Sequence, residues 1–131
     1  MATRSREKSK QRKENRDERP RAHARYIRIA PSKVRVVLDI VRGKQVDEAV
    51  NILSTTQKAA SEVILKLVNS AAANAEHNAN LNRQDLYVAE IFADGGPILK
   101  RIQPVSKGRS HRINKRTSHI TVILDTVKEG N

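Results

Sequence analysis

Residues 94–119 read DGGPILKRIQPVSKGRSHRINKRTSH, and no other stretch constrains the architecture as tightly. From residue 98 onward the stretch carries Lys100, Arg101, Lys107, Arg109, Arg112, Lys115 and Arg116 and not one carboxylate. Asp94-Gly95-Gly96-Pro97 punctuates a preceding strand, and Pro104 with Gly108 brackets a reversal. Two arms of about ten residues around a turn over 104–108 would carry the tip ~30 Å from the body. The apolar residues Ile98, Leu99, Ile102, Val105 and Ile113 are too few for a core. A lone two-stranded ribbon is marginal in water, and its cations repel one another. The stretch therefore predicts a long protruding basic β-hairpin that needs an anion for balance. A solvated basic loop is the bland alternative; strand-like apolar spacing and the missing carboxylates argue against it.

Outward from the ribbon, residues 22–97 and 117–127 predict one α+β domain: three helices packed on a small antiparallel three-stranded sheet. Ala24, Tyr26 and Arg28 alternate with Arg25, Ile27 and Ile29, a strand period. Pro31 suits a first helical position, and Val34, Val37, Leu38 and Val41 form a stripe that Gly43 ends. A second short helix opens with Asp47 and Glu48, placed well for the helix dipole, and buries Val46, Val50 and Leu53. Thr55 or Thr56 can cap a third and longest helix. Its stripe is Ala60, Val63, Ile64, Leu67, Ala71 and Ala75, over about 22 residues or ~33 Å. Leu86 and Val88 against Ile91 and Ala93 imply a strand with a bulge near Ala89–Glu90. Ile120, Val122 and Leu124 alternate with Thr121, Ile123 and Asp125 as a closing strand. These 87 residues can bury roughly 60–65 % of their unfolded surface, enough for one modest core.

The 131 residues contain no cysteine and carry a net charge of +12, unevenly placed. Residues 1–25 are net +6, 26–97 neutral, 98–119 net +7 and the last twelve net −1. A neutral body with two basic appendages is the footprint of docking onto phosphate. Residues 1–21 have almost no apolar side chains and predict a disordered basic extension, and 128–131 a C-terminal tail. No apolar run of ~18 residues could span a membrane, and the polar start lacks a secretory h-region. A cytoplasmic polyanion binder is the class these features favour.

Catalysis finds no support. The histidines His23, His77, His111 and His119 include no i, i+4 pair. Glu76 and His77 adjoin but point ~100° apart on a helix. Asp94-Gly95-Gly96 reads as a bend, and there is no phosphate loop, nucleophile elbow or metal spacing. Only Tyr26, Tyr87 and Phe92 are aromatic, so recognition by base stacking is disfavoured; phosphates and shape remain. Lys33 and Arg35 sit in a first helical turn, where the dipole disfavours cations unless a phosphate joins them; ordinary solvent-facing charge is the alternative. Arg25 and Arg28 on the first strand face the same choice. An architectural DNA-binding protein with a basic β-ribbon arm also fits the ribbon, but not residues 27–53 or 69–78. A membrane-surface role lacks the needed Trp/Phe/Leu face.

Three stretches carry a likeness: IRIAPSKVRVVLDIVRGKQVDEAVNIL (27–53), NSAAANAEHN (69–78) and KRIQPVSKGRSHRINKRTSHITVIL (100–124). The last is the most specific, through Lys100, the small Ser106, Gly108, Arg109, and His119 before alternating apolar residues. Over about 22–126 the chain resembles the family of the bacterial large-ribosomal-subunit protein numbered twenty-two, the universal exit-tunnel hairpin protein. Val105 departs from that pattern, which usually has Arg or His there. The resemblance implies a cytoplasmic, ribosome-bound protein without cofactor, metal or catalytic residues. It implies 23S ribosomal RNA, neighbouring large-subunit proteins and the passing nascent peptide as partners, with no membrane and no homo-oligomer. It further implies binding early in subunit assembly and a hairpin tip lining the nascent-peptide tunnel near the macrolide pocket. The implied tip is Gln103, Pro104, Val105, Ser106, Lys107, Gly108 and Arg109. Lys33, Arg35, Lys100, Arg101, Arg112, Lys115, Arg116 and His119 would grip RNA. Asn74 and Asn78, at the end of the long helix, join them or else cap that helix.

Overall fold

A computed structural model describes residues 2–127; the expected tail 128–131 lies outside the described residues. Among the described residues four α-helices, not three, accompany the strands. The additional one, α1 (Ala2–Glu14), occupies the stretch expected to be disordered. It has no apolar stripe, so burial does not make it a helix. Its Ala, Arg, Lys, Gln and Glu residues are strong intrinsic helix formers, and propensity alone supplies the conformation.

In the body, β1 (Arg21–Ile27) leads to α2 (Pro31–Val41), α3 (Val46–Thr55) and α4 (Ala59–Ala79). Then come β2 (Leu86–Gly95), β3 (Leu99–Pro104), β4 (Ser110–Lys115) and β5 (Ser118–Thr126). The main sheet is antiparallel in the order β1-β5-β2, so the last strand of the chain is its centre. Helices α2 and α4 pack on the sheet and α3 packs on α4, giving the expected two-layer α+β body.

The predicted stripe of α2, Val34, Val37, Leu38 and Val41, is buried, and Pro31 stands at its start. Gly43 ends the turn beyond it at φ +79, where a side chain would be strained. In α3 the buried residues are Val46, Ala49 and Leu53, with Val50 partly so. Gln45 caps this helix, its side-chain oxygen accepting from the N–H groups of Asp47 (3.1 Å) and Glu48 (3.2 Å). The predicted threonine cap of the long helix does not occur, because Thr55 and Thr56 bond backward. Their hydroxyls donate to carbonyls of Asn51 and Ile52, so they close α3, and α4 starts at Ala59 without a side-chain cap. Ala60, Ile64, Leu67, Ala71 and Ala75 are buried as expected, and Val63 is partly buried.

Two bulges tune the sheet. The register of β2 against β5 shifts between Val88 and Glu90, which keeps Leu86, Val88, Ile91 and Ala93 on one buried face despite their change of parity. β1 shifts between Ala24 and Ile27, with Tyr26 in the left-handed region at φ +58. The simple alternation expected there therefore fails: the chain leaves the strand at Ile27, and Arg28 and Ile29 fall in the following turn. Leu38, Ile64, Leu86, Ile91, Ile120 and Leu124 are the largest fully buried side chains, each worth about 1.5–3 kcal/mol of apolar burial.

Candidate nucleic-acid interface

The β3–β4 pair forms its own two-stranded sheet, in register from Leu99↔Lys115 to Pro104↔Ser110. Its arms are six residues long, not ten, so the ladder spans about 20 Å. The break lies at the root. Pro97 has no N–H for the ladder, and the Thr117 hydroxyl donates instead to its carbonyl (2.7 Å). Gly96 N–H donates to Thr117 O (2.9 Å). A Cβ on Gly96 would meet Thr117 Oγ1 at 2.4 Å and the His119 ring at 3.1 Å, so only glycine fits this junction.

At the far end, the Val105 N–H donates to Arg109 O (2.8 Å) and closes the turn. Lys107 (φ +63) and Gly108 (φ +70) are both left-handed there. This turn coincides with the tip expected from Gln103, Pro104, Val105, Ser106, Lys107, Gly108 and Arg109.

Directly paired residues of an antiparallel ladder share a face. One face therefore carries Arg101 and Lys115 with Ile113, and the other carries Lys100 and Arg112 with Ile102. Lys107 and Arg109 stand at the turn and Arg116 at the root. All seven cations are exposed. Among the described residues none has a carboxylate within ion-pair distance. Nothing in the hairpin is fully buried, and Ile102 is 72 % exposed. Cations on both faces suit a finger surrounded by phosphate better than one lying on a surface.

The other predicted contacts divide. Arg25 and Arg28 are exposed on either side of Tyr26, and Lys33 is exposed in the first turn of α2, which no side chain caps. Three others are engaged within the fold. Arg35 donates through Nη2 to Ala93 O (2.9 Å). Asn74 donates through Nδ2 to Arg21 O (3.0 Å). His119 accepts the Tyr26 N–H at Nδ1 (3.1 Å), and its ring meets that of Tyr26 edge-on at 4.9 Å. This bond fixes the bulge residue Tyr26, whose side chain is 66 % exposed. Neither Asn74 nor Asn78 caps α4; Asn80, left-handed at φ +53, does so. Asn78 lines a cleft of about 360 Å³ with Asn74, Arg16 and Arg21.

Sequence reasoning missed Arg42, whose Nη2 donates to Ile91 O (3.0 Å). Arg35 in α2 and Arg42 just past its end stand seven residues apart and bond to the edge of β2 beyond the stretch that Gly43–Gln45 pair, an edge that would otherwise invite pairing. Two arginines at that spacing beside an apolar stripe were the available signal. Among the described residues no cluster of three His, Asp or Glu side chains could hold a metal ion. No helix there is long and apolar enough to cross a membrane. A family model described as ribosomal protein L22p/L17e matches residues 22–125, which include all of the sheet but its two terminal residues, α2 to α4 and the whole hairpin.

Proposed function

The chain belongs to the ribosomal protein L22p/L17e family, structural proteins of the large ribosomal subunit that bind ribosomal RNA, and on that premise we propose that its hairpin is threaded through 23S RNA with the tip in the wall of the nascent-peptide tunnel. The carrying observation is the ladder of Arg101 and Lys115 on one face and Lys100 and Arg112 on the other, without an acid in ion-pair reach among the described residues. Phosphate on both sides offsets the repulsion that free solution leaves in place. Lys107 and Arg109 at the turn, Arg116 at the root, and Arg25, Arg28 and Lys33 on the body extend the same contact. Arg35, Asn74 and His119 keep their internal bonds and offer RNA their remaining polar atoms, with Asn78 beside Asn74. The small Ser106 and Gly108 keep the tip slim enough for a crevice, and a passing nascent peptide would meet the Gln103–Arg109 turn.

On this reading the protein joins the subunit during assembly, in the cytoplasm, as one copy among neighbouring large-subunit proteins. The family removes the architectural DNA-binding alternative, and its members are structural rather than catalytic proteins. A photo-crosslinker placed at Ser106 in translating ribosomes tests the placement. Crosslinks to both 23S RNA and the nascent chain are expected; crosslinks to subunit-surface RNA alone would sink it.

A further inference from the structure

We propose that α1 is a second RNA-binding arm, which grips the phosphates of an RNA duplex separate from the RNA around the hairpin. The inference rests on the ribosomal placement above but concerns residues outside the matched 22–125. Helix α1 holds Arg4, Arg6, Lys8, Lys10, Arg12 and Lys13 against only Glu7 and Glu14. At about 100° per residue, Glu7 and Glu14 fall together on one narrow strip. The six cations fill the remaining arc. Arg4, Lys8 and Arg12 stand in one row with Ser5 and Ser9 beside them, successive cations about 6 Å apart along the axis, close to the step between phosphates in a strand. The described side chains of the helix are exposed throughout, and among the described residues none of its cations is ion-paired.

Composition narrows the partner. Without an apolar stripe the helix can neither enter a membrane interface nor pack on a partner helix. Without an aromatic side chain it cannot stack on unpaired bases. Duplex RNA is bound mainly through its backbone and shape, which is what a rod of arginine, lysine and serine offers. The helix is also under strain that an anion relieves, since Arg4–Lys8, Arg6–Lys10 and Lys8–Arg12 are like-charge i, i+4 pairs.

The root sets the direction. Arg19 grips the Asp17 carboxylate through Nε (3.0 Å) and Nη2 (2.8 Å), and Arg21 adds a further contact at 2.9 Å. Pro20 O accepts the Leu124 N–H (2.8 Å), tying residues 15–20 to the central strand. The hairpin leaves that strand at Ser118, the other end, about 20 Å away. Two basic arms rooted so far apart on a neutral body hold two RNA elements at a fixed separation.

The test compares full-length variants on a blunt RNA duplex across a salt series. Arg4, Lys8 and Arg12 changed together to Gln should lower the log–log salt slope by about 3 units and weaken binding roughly tenfold or more at low salt. The unfolding midpoint of the body should stay in place, because no described side chain of α1 is buried. An unchanged slope, or an equal loss of binding to poly-glutamate, overturns the proposal. Lys100, Arg101, Arg112 and Arg116 changed to Gln form the separate arm of the experiment. A slope reduced by that variant alone keeps the hairpin reading and removes the α1 reading.

Discussion

The hairpin and α1 carry seven and six cations and, among the described residues, bury no side chain fully, yet they keep their shapes by different means. Cross-strand hydrogen bonds hold β3 to β4, and their root is wedged where Gly96 lies against Thr117 and His119. Helix α1 holds itself through its own backbone bonds, and its root is a clasp of charges around Asp17. One arm is aimed by packing and the other by ions. A coreless element keeps a direction only as well as its root is held, so the roots are where the two arms can be made to differ.

The largest effect is expected at the packed root. Gly96→Ala puts a Cβ 2.4 Å from Thr117 Oγ1 and 3.1 Å from His119. Overpacking of this kind costs about 1–3 kcal/mol, and the Thr117–Pro97 bond would have to give way. Urea unfolding should show the loss, accompanied by a changed chemical shift for the Tyr26 amide that rests on His119. A midpoint equal to the parent's would mean that the junction is looser than its distances indicate.

Removing the arms should cost less than altering that root. Deletion of 98–116 takes away no fully buried residue and should change the unfolding free energy by about 0.5 kcal/mol or less, the usual range for surface changes. Deletion of 2–14 should do as little to the midpoint while visibly reducing the helical far-UV signal. A collapse of either variant would show that an arm supports the body.

The same contrast explains how much the sequence disclosed. The hairpin was legible because its evidence is local: an acid-free run with turn residues at both ends. The stripe of α2 and the bulge after Val88 were legible from periodicity for the same reason. Helix α1 was not, since periodicity looks for an apolar face and α1 is helical by propensity alone. The start of α4 was misplaced because a threonine hydroxyl serves the helix behind it as readily as the one ahead. The arms came out shorter than expected because Pro97 and Thr117 interrupt the ladder, a cross-strand event. Among the predicted grips, Arg35, Asn74 and His119 bond to groups 58, 53 and 93 residues away in sequence, and no local pattern announces such partners.

The smallest effect concerns the ionic root. The hydrogen bond from the Arg19 side chain, then that from the Arg19 backbone, hold the Asp17 carboxyl well below the usual carboxylate range. A folded-state pKa lowered in this way stabilises the root above the unfolded value of about 3.9, and the contribution disappears as pH falls through the folded value. Between neutral pH and mild acid the clasp should therefore persist, to be lost only in strong acid. Because Asp17 is exposed to solvent, salt screens the effect and global stability should scarcely register it. The observable is local: an NMR titration of the Asp17 carboxyl carbon should have its midpoint well under ~3.9, with the Arg19 side-chain Nε–H signal broadening in the same window. A midpoint at the ordinary carboxylate value would mean that the clasp does not persist in solution, leaving the Pro20–Leu124 backbone bond to hold the root. The Thr117–Pro97 bond at the other root has no titrating partner, so the hairpin's Thr117 hydroxyl should show no response across that window.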